Sequence, residues 1–210
     1  MTKREFLRNE LLCGVEAKIV NSEFKLIKSK VCFIKKTTFG WNKYSITFLL
    51  NEDGWTIAIG LLIRFNNVED FFHQGSGFEK KYQKGTPTIG TPIEALGIEG
   101  VTARFDISEE NDIEPAVDIL VSIFNRVALK FFDTFDNLEE IEKAVNEDVN
   151  STFLTGPIFK GMKGLILAHF VGNKDIRKLD VEYYRYYESF SDGFYLDTYN
   201  NIRNLVFKEI

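Results

Sequence analysis

The chain has 210 residues, of which 44% are hydrophobic and 27% charged, enough for one domain or two small ones with a full core. With 4 prolines and 15 glycines against 20 phenylalanines and 8 tyrosines, the composition excludes collagen-like, linker-like and largely disordered chains. The formal net charge of -5 is unevenly distributed. Residues 1–105 hold 15 basic and 11 acidic residues, a charge of +4, whereas residues 106–210 hold 11 and 20, a charge of -9.

The cysteine content and the start of the chain indicate a cytoplasmic protein. Cys13 and Cys32 are the only cysteines, and they lack the CxxC spacing of zinc and redox sites, so we expect two reduced thiols. Charged residues interrupt the first ten positions, where a signal peptide needs a continuous apolar run. The longest apolar stretches are also far shorter than the roughly 20 residues that span a bilayer, which predicts no membrane segment.

The first half of the chain predicts a helix followed by strands. Apolar residues recur at helical spacing from Lys3 to about Val20, and a lysine-rich segment, 24–36, has the composition of an edge strand or a strand pair. Alternating apolar residues in 44–50 and 55–65, separated by Asn51-Glu52-Asp53-Gly54, predict a β-hairpin. Residues 68–74 suit a short helical turn, and residues 101–108 suit a last strand.

The remainder predicts a long loop and then helices. Residues 75–100 hold six glycines and two prolines with little periodicity, which is typical of a mobile or functional loop. A nearly continuous apolar helix follows from Pro115 to Phe132, then a helix capped by Asn137 and three more to the end. We therefore expect a single α+β domain over 1–210. An antiparallel meander of three to five strands with an N-terminal helix (1–108) packs against a C-terminal run of helices (109–210).

Histidines and lysines near the predicted loop form one candidate site. His73 borders the 75–100 loop, and Lys80, Lys81 and Lys84 lie within it, so together they could accept an anionic ligand. The alternative is that neither histidine is functional, with His73 an exposed loop residue and His169 a core histidine. Neither histidine has a partner at metal-ligand spacing, and Lys84-Gly85-Thr86 lacks the order of a phosphate loop. We therefore expect no metal and no cofactor.

The acidic residues form the second candidate site. Residues 106–118 hold six acids and no base, and residues 133–148 hold seven acids and one lysine. The spacing does not fit a calcium loop, and acids at helix starts are also explained by the helix dipole. The functional alternative is a partner-binding surface that includes Glu139, Glu140 and Glu142.

Two further clusters leave alternatives open. Six tyrosines fall within 183–199, and core packing explains them better than base stacking because the local charge is balanced. Lysines at 25, 28, 30, 35, 36 and 43 are interleaved with aromatic residues, which suits either edge protection or nucleic-acid binding. Because the second half is acidic, we expect nucleic-acid binding to be unfavourable for the chain as a whole.

Several short patterns resemble an uncharacterised bacterial group, the domain-of-unknown-function family 4304. They are Phe24-Lys25, the strand Phe33-Ile34-Lys35-Lys36, the strand from Trp41 to Leu50, and the helical segments 127–132 and 135–141. The resemblance covers the chain to about residue 150. It implies a bacterial cytosolic α+β domain, but it transfers no activity and no site residue.

Two function classes follow from these features. The preferred hypothesis is a non-enzymatic protein-binding module, of immunity or regulatory type, whose acidic helical face meets a basic partner. The alternative is a small-ligand binder or enzyme with an anion-accepting site at the 75–100 loop, built on His73 and the three loop lysines.

Overall fold

The computed structural model describes residues 1–19 and 22–208, and its α+β class is the one predicted. Helix α1 spans Lys3–Lys18, and the strands are β1 (Lys25–Ile27), β2 (Cys32–Lys36), β3 (Gly40–Leu50), β4 (Trp55–Phe65), β5 (Ile89–Pro92) and β6 (Arg104–Ile107). The other helices are α2 (Asn66–Gly75), α3 (Lys80–Gln83), α4 (Ile113–Ile123), α5 (Leu129–Thr134), α6 (Leu138–Asn146), α7 (Gly156–Phe170), α8 (Ile176–Ser189) and α9 (Leu196–Lys208).

The strands form one sheet in the order β1-β2-β3-β4-β5, and β6 also pairs with β4. The β1/β2, β2/β3 and β4/β6 pairs are antiparallel, so the predicted meander and its hairpin are confirmed. Strands β3 and β4 form because apolar residues alternate along both, and every second side chain is buried in β3 from Asn42 to Ile46 and in β4 from Ile57 to Ile63.

The stretch 75–100 is not a loop throughout, and that part of the prediction is wrong. It contains α3, strand β5 and a 3-10 turn at Ile93–Leu96. Strand β5 escaped detection because two of its four residues are glycine and proline, which disfavour strands by propensity. The strand forms through tertiary contacts: Ile89 and Thr91 are buried, and just before it Thr88 Oγ1 accepts a hydrogen bond from the Phe65 amide at 2.9 Å.

The chain divides into two compact units, the first comprising 1–63 and 91–134. In this first unit α1 packs on α4, and the ring of Tyr44 lies edge-on to that of Phe124 at 5.4 Å between centroids. The predicted helix from Pro115 to Phe132 is present as α4, a π-helical segment at Phe124–Ala128, and α5. Directly before the π segment, the buried Tyr44 hydroxyl donates to the Leu120 carbonyl at 3.0 Å.

The second unit comprises 64–90 and 135–210. Its central element is α7, which contacts α2, α6, α8 and α9. Helix α6 begins where predicted: Asn137 is its N-cap, and the Asn137 side chain accepts a hydrogen bond from the Glu140 amide at 2.9 Å. The long apolar run of α7 is buried on nearly all sides, as expected for a helix surrounded by other helices.

Candidate functional site

An open groove of about 470 Å³ lies on the second unit between the end of α6 and the start of α8. Its α6 side is formed by 142–143 and 146–149, and its other side by Asn173 and by the first turns of α8. Asp175, the N-cap of α8, and the α8 residues Lys178, Leu179 and Glu182 have the i, i+3, i+4, i+7 spacing of one helix face. The groove is therefore defined by two helices whose polar faces are turned toward the same space.

Carboxylates dominate the charge of the groove. Five acids line it against Lys143 and Lys178, a formal charge of -3, and the acids are Glu142, Glu147, Asp148, Asp175 and Glu182. Several carboxylates held close together repel one another, so a cation that enters is attracted by all of them. This arrangement favours a positively charged ligand over an anion.

Glu142 is the most constrained of these acids. It is 9% exposed, and its Oε1 accepts two amide hydrogen bonds, from Asn146 Nδ2 at 2.9 Å and Asn173 Nδ2 at 2.5 Å. Asn146 is itself fixed, because its Oδ1 accepts from the Tyr183 hydroxyl at 2.6 Å and its Nδ2 also donates to the Gly164 carbonyl. The Glu142 carboxylate is thus held in one place before any ligand arrives.

Two glycines of α7 let α8 approach closely enough to build this network. A Cβ atom at Gly161 would lie 2.8 Å from ring atoms of Tyr183 and Tyr187, and one at Gly164 would lie 2.5 Å from Asn146 Oδ1 and the Tyr183 hydroxyl. Tyr183 is fully buried, and burial raises its pKa far above the usual range, with neighbouring acids including Glu142 adding to the shift. Its hydroxyl therefore stays protonated and remains a donor to Asn146. The prediction that these tyrosines are core residues is confirmed for Tyr183, Tyr187 and Tyr199.

A buried lysine lies at the end of α6 beside the groove. Lys160 is 1% exposed, and its ammonium donates to the carbonyl of Val145 in the last turn of α6. Burial lowers the pKa of Lys160 to about 8, and the carboxylate of Asp148 opposes that shift. A cation at a helix C-terminus also interacts favourably with the helix dipole.

The three predicted partner-binding acids occupy different environments. Glu139 and Glu140 are exposed in the first turn of α6, where negative charge complements the helix dipole. Of the three, only Glu142 lines the groove, and it is buried in the hydrogen-bond network. Glu139 precedes Glu142 by three residues and so shares its helix face.

Most groove residues escaped the sequence prediction. Asn146, Asn173, Asp175 and Glu182 were not singled out, because polar residues in separate helices carry no sign that they meet. The available signal was the helical spacing of Asp175, Lys178 and Glu182, which places them on one face of α8.

His73 lies in a buried ionic cluster of the second unit rather than on an exposed loop. Its side chain is 4% exposed, with Nε2 at 2.8 Å from Thr86 Oγ1 and Nδ1 at 3.0 Å from Ser76 Oγ. The Thr86 hydroxyl donates to the Gln83 carbonyl, so the His73 proton is assigned to Nε2. Burial lowers the pKa of His73 and so favours the neutral ring, while the carboxylate of Glu69 opposes this shift.

Glu69 is at the centre of this cluster and is fully buried. Its Oε1 lies 2.9 Å from Lys163 Nζ, and its Oε2 lies 3.9 Å from both Arg64 NH1 and His73 Nε2. Arg64 donates to the carbonyls of Gln83 and Thr86, and Lys163 donates to that of Pro87. These contacts attach residues 83–87 to the end of β4 and to α7, and through Glu69 to α2, which is a structural role.

The predicted loop lysines are not part of the buried cluster. Lys80, Lys81 and Lys84 are exposed in and after α3, and Lys81 forms an ion pair with Glu79 at 2.9 Å. The anion-accepting site built on His73 and these lysines stays a prediction, and the His73 ring nitrogens are occupied by protein hydroxyls in this conformation.

The described residues show neither a metal-ion cluster nor a helix that could span a membrane. Within 1–19 and 22–208, no group of three or more His, Cys, Asp or Glu side chains has the geometry to hold a metal ion. In this described part of the chain, no helix has both the length and the apolar composition needed to cross a bilayer. Cys13 and Cys32 are free thiols, the first exposed and the second buried.

No protein-family model matches the chain, and neither a curated protein nor a solved structure shows significant similarity to it. The resemblance to family 4304 therefore stays a prediction.

Proposed function

We propose that this protein is a non-enzymatic binding module, of immunity or regulatory type, that acts in the cytoplasm on a basic protein partner. The observation that carries the proposal is the acidic groove, defined here as the surface lined by 142–143, 146–149, 173, 175, 178–179 and 182. An arginine or lysine side chain of the partner occupies this groove.

The size and the chemistry of the groove support a basic side chain as occupant. Its volume of about 470 Å³ lies within the roughly 300 to 1,000 Å³ of small-ligand pockets. All of its lining residues except Val149 and Leu179 are polar or charged, so it suits a charged group better than a hydrophobic one. The buried carboxylate of Glu142 is preorganised by Asn146 and Asn173, and a guanidinium that reached it would form a charge-assisted hydrogen bond.

The side chains of the groove favour binding over catalysis. The described residues that line it include no histidine, cysteine or serine, the side chains that most often act as nucleophile or proton shuttle. Exposed acids at the rim, Glu147, Asp148 and Asp175, would instead speed the approach of a basic protein and make binding sensitive to salt.

The proposal is tested by affinity capture from a bacterial lysate with matched charge variants. We expect the wild-type protein to retain a basic protein at low salt and to release it at high salt. The variant Glu147→Lys with Asp175→Lys should lose that protein, because it reverses two exposed acids of the groove. The control Glu10→Lys with Glu16→Lys makes the same charge change on exposed acids of α1 and should keep it. Equal loss in both variants, or retention in both, would contradict the proposal.

A further inference from the structure

Three strands of the first unit bring lysines onto one face of the sheet. In the β1/β2 register Lys25 is opposite Ile34, and in the β2/β3 register Ile34 is opposite Lys43, so these three residues form a row across the strands. Lys36 is opposite Trp41 one step further along, on the same face because side chains alternate with a period of two. We call the surface formed by Lys25, Ile34, Lys36, Trp41 and Lys43 the basic sheet face.

The positive charge of this face has little compensation nearby. Residues 24–50 hold six lysines and no aspartate or glutamate. Among the residues that the structure describes, Lys35 is the one lysine of this set with an ion pair, to Glu23 at 2.7 Å. Lys28 and Lys30 are exposed in the turn between β1 and β2 and add to the positive charge at its border.

Protection of a sheet edge does not account for this charge. A lysine on an edge strand prevents pairing with another sheet, and that explains Lys25 on β1. Lys43 lies on β3, two strands in from that edge, where no such protection is needed. Burial lowers the pKa of Lys43; Cys32 opposes that shift, and the nearby Lys30 ammonium adds to it, so Lys30 and Lys43 repel each other. An anion placed over the face would relieve that repulsion.

The face also presents an aromatic ring beside the charges. Trp41 is half-buried, and the Lys43 ammonium lies over the Trp41 ring, 4.3 Å from its centroid, so a base that stacks on this face of the ring displaces Lys43 toward a phosphate. Indole rings stack on nucleobases, and proteins that bind single strands combine such rings with a positive surface along the backbone path. In a duplex the bases are already stacked on each other, so no base would be free to stack on Trp41.

We propose that the basic sheet face binds single-stranded nucleic acid, with phosphates on Lys25, Lys36 and Lys43, a further phosphate on Lys30 at its border, and a base stacked on Trp41. Neighbouring β-strands lie about 4.8 Å apart, so the three β-strands span about 10 Å. This width suits a single extended nucleic-acid chain. Strands β1, β2 and β3, which form this face, contain no aspartate or glutamate. The inference is independent of the groove proposed above.

The first test is a fluorescence anisotropy titration with a fluorescein-labelled 15-nucleotide oligothymidine and the corresponding oligouridine. With four lysines in contact, counting Lys30, the salt slope should be about -2.8, so the affinity falls about 50-fold between 50 and 200 mM salt. Lys25→Glu with Lys36→Glu, both exposed, should reduce the slope to about -1.4 or abolish binding. Lys174→Glu with Lys208→Glu, two exposed lysines of the second unit, is the matched control and should bind as the wild type does.

A second readout reports on the face itself. The chain has two tryptophans, so Trp55→Phe leaves Trp41 as the only indole, and its fluorescence should be quenched when the oligonucleotide binds. Binding with unchanged Trp41 fluorescence, or equal weakening in the test and control variants, would overturn the proposal. Poly-glutamate binding with the same affinity and the same lysine dependence would also overturn it, because the face would then be a surface for acidic polypeptides. The melting temperature of each variant establishes that it is folded.

Discussion

The buried ionic cluster around Glu69 combines one buried carboxylate with two cations that have almost no access to water, and one of them, Arg64, also pairs with the exposed Asp70 at 3.3 Å. The side chains of Arg64 and Lys163 are 4% and 5% exposed, and that of Glu69 is 0% exposed. Burial lowers the pKa of Lys163, and the charge of Glu69 opposes that shift. A charge buried this deeply is tolerated only while its counter-charge remains, because the cost of removing it from water is several kcal/mol.

This cluster predicts a large effect for a substitution that barely changes shape. We expect Glu69→Gln to lower the free energy of unfolding by about 3 kcal/mol, since it leaves the buried Lys163 without its anion and leaves Arg64 with only the exposed Asp70. Glu69→Leu combined with Lys163→Met should be closer to the wild type than Glu69→Gln is. Urea denaturation measures all three, and Glu79→Gln, in the exposed pair with Lys81, should change stability by less than about 0.5 kcal/mol. Equal effects of Glu69→Gln and Glu79→Gln would show that the cluster carries no stability.

Lys160 predicts a dependence of stability on pH. Its pKa in the folded state, about 8, lies below the ordinary lysine value of 10.5, so between these two values the unfolded chain binds more protons than the folded one. Stability contributed by this group therefore rises as the pH rises above 8. Relative to Lys160→Met, we expect the wild type to gain about 1 to 2 kcal/mol between pH 7.5 and 9.5. Denaturation curves of both proteins over this range give the difference, and a difference that stays constant or falls with pH would contradict the lowered pKa.

At the scale of single residues, the sequence indicated which residues belong to a candidate site, but not which side chains contact them in the fold. His73 was correctly recognised as a residue next to a glycine-rich stretch, but the expected exposed or ligand-facing ring is buried against Thr86 and Ser76. Its other neighbours, Arg64 and Lys163, lie about a hundred positions apart in the chain, and no local pattern links them. Glu142 was identified as part of an acidic run, whereas the amides that hold it come from two different segments.

Helix α7 and the helices around it depend on small residues at two positions. Gly164 faces Asn146 and Tyr183, and a methyl group there would displace the side chains that hold Glu142. We expect Gly164→Ala to cost about 1 to 3 kcal/mol, the usual penalty for overpacking, and to weaken binding at the groove. Thermal unfolding measures the first effect, and a titration with a basic peptide measures the second.

The matched control for this substitution is Gly85→Ala. A Cβ atom at Gly85 meets only the Tyr82 carbonyl at an ordinary distance of 3.5 Å, so stability and binding should stay within about 0.5 kcal/mol of the wild type. If the Gly164→Ala protein were as stable as this control, α7 and α8 could move apart without a loss of stability, which would contradict the prediction.

At the scale of elements, periodicity predicted the structure wherever it extended over many residues. The β3–β4 hairpin and the apolar helix after Pro115 were predicted because ten or more residues repeat one pattern. Strand β5 is four residues long and α2 was expected to be only a short turn, and both depend on tertiary contacts. The π-helical turn at Phe124–Ala128 leaves the apolar pattern unchanged, so nothing in the sequence indicates it.

For the whole molecule, the charge asymmetry along the sequence is not an asymmetry between the two compact units. The first unit has 13 basic and 15 acidic residues, a charge of -2, and the second has 13 and 16, a charge of -3. The two units differ because each one has a local surface on which charges of one sign are concentrated. The first carries the basic sheet face, and the second carries the acidic groove. The composition of the two sequence halves could not show this, because both units are built from separate stretches of chain.

The most direct test of the central claim, that the acidic groove binds a basic side chain, is an NMR titration of the isotopically labelled protein. The probe is a nine-residue peptide of alternating arginine and glycine. We predict chemical-shift changes confined to residues 142–149 and 173–182, including the side-chain amides of Asn146 and Asn173 that hold Glu142. These changes should disappear at high salt and in the Glu147→Lys, Asp175→Lys variant. Shifts centred instead on the other acidic run at 106–118, or no shifts at low salt, would contradict the claim.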